Sequence, residues 1–294
     1  MSIVRSMTGF GRSEKETEGR RYSVEIKSVN HRFLDISIKM PKALSKFESS
    51  IRSIMREYLE RGKVDVYISF FNLSPDGATV RYNKGMAAEY LKFLREMQTD
   101  FGLDYDIRVS TLSRFPDVFM TDEEELDEDV IWAEFEPVLR EALKEIRESR
   151  EREGGDLKAD ILKKLENIKN EVVFIEDRAP EIIENYRNKL TDRIREMLND
   201  AAIDDSRILT EVAIYSDKVC VDEEITRLKS HIDAMTKELN KGGPIGRKLD
   251  FIAQEMNREA NTTLSKANDI ITSDSAIEIK TGIEKIREQI QNIE

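Results

Sequence analysis

GRKLDFIAQEMNREANTTLSK, Gly246–Lys266, sets carboxylates, amides and cations around a narrow apolar stripe. Leu249, Ile252, Ala253, Met256 and Ala260 recur at helical spacing, which predicts a helix with one face on a core. At 100° per residue, Lys248, Glu255, Glu259 and Lys266 line one flank of that stripe, while Asp250, Gln254, Asn257 and Asn261 line the other. Two acidic side chains at i and i+4 can share a divalent cation, and neighbouring amides suit sugar or phosphate oxygens. The plainer reading is a solvated face tied by ion pairs, since Glu and Lys are good helix formers.

Helical signals extend in both directions from this stretch. Gly242, Gly243 and Pro244 stop a preceding helix that begins near Asp222, for which Asp222 is the simplest N-cap. That helix carries His231, with Asp222, Glu223, Glu224 and Arg227 on the turns before it. Downstream, Ile279, Ile283, Ile286, Ile290 and Ile293 predict a terminal helix docked by its apolar seam. Upstream, Ile131, Phe135, Val138, Ala142 and Ile146 form one stripe, and Ile161, Leu165, Ile168, Val172 and Ile175 another, in seams that call for partner helices. Pro180 is expected to kink or interrupt the run before it resumes through Ile183, Tyr186, Leu190, Ile194 and Leu198.

The first part of the chain reads differently. Tyr22, Val24 and Ile26, then Phe33, Leu34, Ile36 and Ile38, mark two strands with a turn at residues 28–32, and Pro41 ends the second. Residues 44–60 take helical period, Val64, Val66, Ile68 and Phe70 alternate as a strand, and Pro75, Asp76 and Gly77 form a turn before a short strand near Tyr82. A helix at residues 84–101 completes the unit. The fold class is therefore α+β: a basic mixed domain at 1–115, an acidic hinge and linker helix at 116–155 containing the acidic run 122–129, and a helical domain at 156–294.

Composition narrows the function classes. A length of 294 residues with 39% hydrophobic and 36% charged residues suits a helix-rich protein of about two domains. No apolar run is long enough to span a membrane and no apolar segment follows Met1, so neither a span nor a signal peptide is expected. The single cysteine, Cys220, excludes an intramolecular disulfide and a cysteine-based zinc cluster, fits a reducing cytoplasm, and is expected as a packed thiol. Net charge is -12, yet residues 1–70 carry 14 Lys and Arg against 9 Asp and Glu, a segregation that a phosphate-binding surface needs. Gly9 and Gly11 build no phosphate loop followed by lysine, no GxSxG elbow occurs, and two histidines, His31 and His231, exclude an all-histidine metal site within one chain. In the polar turn, His31 can contact a phosphate or simply lie on the surface.

Separated motifs resemble the YicC-like (YloC-like) endoribonuclease family across nearly the whole chain. They are SMTGFGR at 6–12, KSVNHRFLD at 27–35, RGKVDVYI at 61–68, GRKLDFIAQEMNREAN at 246–261 and IREQIQNIE at 286–294. At Leu264 the family usually has glycine, so a turn needing positive φ before Ser265 and Lys266 is not open to this chain. The resemblance implies a cytoplasmic, divalent-metal-dependent endoribonuclease using Mn²⁺ or Mg²⁺, assembled as a ring-shaped homo-oligomer, in particular a hexamer, around RNA rather than DNA. Under that reading Glu255 and Glu259 are the first-choice metal ligands and catalytic groups, with Glu223, Asp222 and His231 as additions. Arg12, His31 and Arg32 from the basic domain, with Arg247, Lys248, Arg258 and Lys266 from the helical one, are the expected phosphate contacts. Two rivals are an RNA-binding adaptor that presents transcripts to another nuclease, and a purely structural helical oligomer.

Overall fold

Alternation at Tyr22, Val24 and Ile26 reflects a strand with one face buried and the other in solvent, and it places the N-terminal sheet. The computed structural model describes residues 3–17, 19–73, 78–104, 106–123, 127–198 and 205–294. Strands β1 (Gly9–Thr17), β2 (Arg20–Val29) and β3 (Leu34–Lys39) precede a 3-10 turn at Lys42–Phe47 and helix α1 (Glu48–Tyr58), then β4 (Gly62–Asn72). The four-stranded sheet has the order β1-β2-β4-β3. Its β3–β4 pair is parallel, which requires the crossover that α1 supplies. Next come β5 (Ala78–Tyr82), α2 (Lys84–Phe101), the short α3 (Val109–Leu112) and β6 (Phe119–Glu123), with β5 and β6 forming a separate antiparallel pair. The turn expected at Pro75, Asp76 and Gly77 lies outside the described residues, as do residues 124–126 of the acidic run.

Helix α4 (Glu128–Leu198) is continuous for 71 residues and is followed by α5 (Asp205–Val219), α6 (Asp222–Lys241), α7 (Gly246–Lys266) and α8 (Ile270–Ile290). The interruption expected at Pro180 does not occur: both Pro137 and Pro180 lie inside α4. A proline removes one helical hydrogen bond. Here the flanking turns remain anchored, with Ile175 buried before Pro180 and the Tyr186 ring stacked 3.6 Å from Tyr215 of α5 after it. The helix within 116–155 does not merely link: Ile131, Phe135, Leu139 and Ile146 are buried against the sheet and α1. Farther along, Ile161, Leu165, Ile168 and Val172 join α6, α7 and α8 in a second core. One rod thus carries two apolar faces in succession.

Close approach explains the glycines near the N-terminus. A Cβ on Gly11 would lie 2.3 Å from the Ala142 carbonyl oxygen, and one on Gly154 would lie 2.2 Å from that of Val4, so the leading strand can lie against α4 only without side chains there. The chain end closes the structure. Ser6 bridges Ile293, Met7 N–H donates to the Asn292 carbonyl at 2.8 Å, and Glu294 N–H donates to that of Arg5 at 3.0 Å. Beneath this bridge lies Arg150 of α4, 1% exposed, donating to Ser28 Oγ at 3.1 Å, the Met7 carbonyl at 2.9 Å and the Arg61 carbonyl at 3.0 Å. Its Nη1 is 3.7 Å from Glu294 Oε2. Burial pushes the Glu294 carboxyl above its ordinary range against the pull of Arg150, and lowers that of the guanidinium.

Candidate active site

The apolar stripe of α6 (Ile225, Leu228, Ile232, Met235, Leu239) packs into the second core with that of α7, and this packing holds the two helices antiparallel with their polar flanks facing along one seam. On α6 the flank is Glu224, His231 and Glu238, each one heptad from the next. Lys266 Nζ donates to Glu224 Oε1 at 2.7 Å, Arg227 Nη1 to Glu259 Oε1 at 3.4 Å, and Lys248 Nζ to Glu238 Oε1 at 2.6 Å. Arg227 also reaches Glu223 Oε1 through Nη2 at 2.5 Å. The Arg227–Glu259 and Glu238–Lys248 pairs define one antiparallel register, which sets His231 opposite Glu255.

Three of these carboxylates are buried: Glu224 is 6% exposed, Glu238 9% and Glu259 4%. A buried carboxylate loses hydration that cations and hydrogen bonds must offset, so such a row is costly for a merely solvated face. The Lys248 hydrogen bond, working against burial, holds the Glu238 carboxyl below its ordinary range. Glu224 Oε2 is buried with no hydrogen-bond partner. The opposite flank of α7 has another use. Arg287 Nε reaches Asp250 Oδ1 at 3.3 Å, Asn257 donates to Glu284 at 2.6 Å and Gln254 donates to Asp250 at 2.7 Å. Those amide donors are spent on the fold, two of these links tying α7 to α8.

Of the expected residues, ion pairs bring Glu259, Glu223, Lys248 and Lys266 to one seam, and helical spacing puts Glu255 and His231 on the same flanks of α7 and α6. Glu255 is half-buried, and Arg247 and Arg258 are exposed on α7. Asp222 is exposed and is the first residue of α6; Val221 occupies the N-cap, without a side-chain bond, so the capping role expected of Asp222 is not seen. Among the described residues no three His, Cys, Asp or Glu groups come together as a metal cage, because Lys266, Arg227 and Lys248 are interleaved with the acids. Glu224, Glu238 and Arg227 were not among the expected site residues. The heptad spacing of Glu224, His231 and Glu238 beside an apolar stripe was the signal for the first two.

The N-terminal candidates lie elsewhere. Arg12 is exposed on β1 and pairs with Glu14 at 3.1 Å. His31 and Arg32 are exposed in the turn after β2, with His31 Nδ1 3.0 Å from the Phe33 carbonyl oxygen and the Arg32 guanidinium 5.2 Å from the Phe33 ring centroid. The chain end connects this turn to α7. Asn30 Nδ2 donates to the Gln291 carbonyl at 2.7 Å, and a Cβ on Gly246 would lie 2.5 Å from the Ile293 carbonyl oxygen. The tail therefore runs between the His31–Arg32 turn and the start of α7, which bears Arg247 and Lys248. Cys220 is exposed between α5 and α6, contrary to the packed thiol expected of it, because the interhelical turn leaves it at the surface.

Two family models match the sequence. "Endoribonuclease YicC-like, N-terminal region" covers residues 4–159, and "Endoribonuclease YicC-like, C-terminal" covers residues 175–294. The chain belongs to the YicC-like endoribonuclease family. A relative named "Probable endoribonuclease YicC" from Clostridioides difficile (strain 630) is 42% identical over 290 residues, 98% of this chain and 99% of the relative. One of the same name from Haemophilus influenzae is 32% identical over 296 residues, 99% of this chain and 100% of the relative. The two YicC-like regions both include part of α4 and leave its residues 160–174 between them. Leu264 causes no distortion: α7 runs through it to Lys266, and its side chain packs on the second core. No turn with positive φ exists at that position.

Proposed function

We propose that this chain is a cytoplasmic endoribonuclease that hydrolyses RNA phosphodiester bonds at the α6–α7 seam with a divalent cation, Mn²⁺ or Mg²⁺, inside a ring-shaped homo-oligomer such as a hexamer. The observation that carries the reading is the row of buried carboxylates held by interleaved cations in a member of the YicC-like family. Hard cations of this kind are often held by one or two carboxylates and complete their shell with water and substrate phosphates, so a cage of three protein groups is not required. Glu255 and Glu259, at i and i+4 on the flank that faces α6, fit that mode, with Glu223 and Asp222 at the far end of the seam as further oxygen donors. When bound, such a cation makes water a better nucleophile at neutral pH and neutralises charge on the phosphoryl oxygens.

The remaining work falls to the chain's own groups. Lys248, Lys266, Arg247 and Arg258 lie along one helix and can follow successive phosphates, while Arg12, His31 and Arg32 extend the basic track on the N-terminal half. His231, one heptad from Glu224 and from Glu238 on the same flank, would pass a proton to the leaving oxygen. Assembly is supported by apolar side chains left in solvent: Leu209 and Ile214 on α5, and Ile270, Ile271 and Ile277 on α8, are all exposed.

Cleavage of a structured RNA by the purified protein, with and without chelator, tests the reading. Glu255→Gln and Glu259→Gln are expected to abolish cleavage while RNA binding persists, since a group acting in the transition state affects turnover more than affinity. Products should carry no 2′,3′-cyclic phosphate. Wild-type rates in both variants, or chelator-insensitive cleavage with cyclic ends, would transfer the chemistry to the histidines. RNA binding without any cleavage by the purified protein would leave an adaptor.

A further inference from the structure

At the Lys266 end of the seam lies a cavity of about 90 Å³. Its walls are Ile175, Ala179 and Ile183 of α4 and Val219 of α5, and its mouth carries Ser216, Asp222, Lys266 and Asn268. Two of those mouth residues, Asp222 and Lys266, belong to the candidate active site. The lysine is held in place by its bond to the buried Glu224. The slot is therefore apolar along its sides, polar at its opening, and continuous with the track that would carry phosphates.

We propose that this slot receives a single-ring base, a pyrimidine of the RNA strand bound along the seam, with Lys266 contacting the adjoining phosphate; the proposal rests on reading the seam as an RNA site. A strand that follows Lys248 towards Lys266 brings its next base to this mouth. Proteins that read single-stranded RNA splay a base out of the stack, cover its faces with apolar or planar side chains and bond its edge. The aliphatic walls supply the first kind of contact. Asn268 offers a donor and an acceptor, Asp222 an acceptor for an exocyclic amine, and Ser216 either role. The volume is far below the ~300–1,000 Å³ of pockets for drug-sized ligands, which favours one ring over the two of a purine. A free nucleobase would also fit the walls, but Lys266 at the mouth favours a base attached to phosphate.

Cys220 gives the test, because it is the chain's single cysteine, is exposed and borders the slot. The full-length protein is alkylated with N-ethylmaleimide in the presence of short oligocytidylate, oligouridylate or oligoadenylate of equal length. Chelator keeps the RNA intact, and occupancy is matched by fluorescence anisotropy. At about ten times Kd, the pyrimidine oligomers are expected to slow alkylation roughly tenfold, and oligoadenylate to have little effect. Ala179→Phe, which fills the slot from α4, is expected to erase that difference while oligoadenylate still binds with wild-type affinity; Ile183→Phe serves the same purpose if the first variant fails to fold. Equal protection by oligoadenylate, or alkylation at the free rate while pyrimidine oligomers are bound, overturns the slot and leaves the seam reading standing. Failure of every oligomer to bind, with or without Mg²⁺, removes both.

Discussion

Replacing Arg150 with Met tests the connection between the two cores and the chain end. Methionine is unbranched and keeps much of the side chain's volume but neither its donors nor the outer end of its reach, so what is measured is chiefly the polar network. Arg150→Met strands the Met7 and Arg61 carbonyls, the Ser28 hydroxyl and the Glu294 carboxylate. Each hydrogen bond to a charged group contributes ~1.5–3 kcal/mol, and these overlap, because one ion makes all of them. Breaking a buried charged pair from one side typically costs ~3–5 kcal/mol, which is the loss expected here. Glu294 Oε1 is already buried without a partner, so nothing nearby compensates. Equilibrium unfolding in urea at neutral pH provides the assay. With a slope of ~1–3 kcal/mol per molar, the midpoint should fall by about 1 M or more. Arg195→Met is the control: its partner is the surface residue Asp192 in the same helix, and such pairs contribute ~0–1 kcal/mol. A loss for Arg150→Met no larger than that of the control would refute the claim that this network fastens the tail.

Arg32→Ala should weaken RNA binding and reduce its log-log salt slope by about 0.7 per lost phosphate contact for a single strand, whereas unchanged affinity and slope would remove Arg32 from the interface. Light scattering at micromolar concentration should give a mass above the 34.1 kDa of one chain; a monomer mass would count against the ring. Asp269 caps α8, and burial raises its carboxyl less than the Thr272 hydroxyl and N–H and Arg178 together lower it, so its folded value lies below the ordinary one. Its contribution is therefore full above the unfolded value of ~3.9 and is lost as pH falls through the folded value. Asp269→Asn, which preserves the cap, should be less stable than wild type at pH 7 by a margin that closes on acidification, and a margin constant with pH would disprove the linkage.

Periodicity alone determined most of the helices here, because burial of one face leaves a repeat in the residues that supply it. The stripe of Leu249, Ile252, Ala253, Met256 and Ala260 is the buried face of α7, and the isoleucine series of α8 is buried likewise. Strands with one solvent face, β2 and β4, were equally legible. Strand β1 was not, since Gly9 and Gly11 contribute no alternating side chains; their small size matters only once α4 lies 2.3 Å from the space a Cβ would fill. Nor did local signals reveal that α4 is one rod, because a proline's local cost argues for a break while packing on both sides holds the helix together. The site divides in the same way. Glu255, Glu259, Lys248 and Lys266 could be placed on one flank from their spacing, but which of them are buried, and opposite which residues of α6, depended on the antiparallel register of two helices. Arg150 is the extreme case: its partners are the Met7 and Arg61 carbonyls, Ser28 and the last residue of the chain, groups far apart in sequence that leave no periodic trace and meet only when the two termini close over α4.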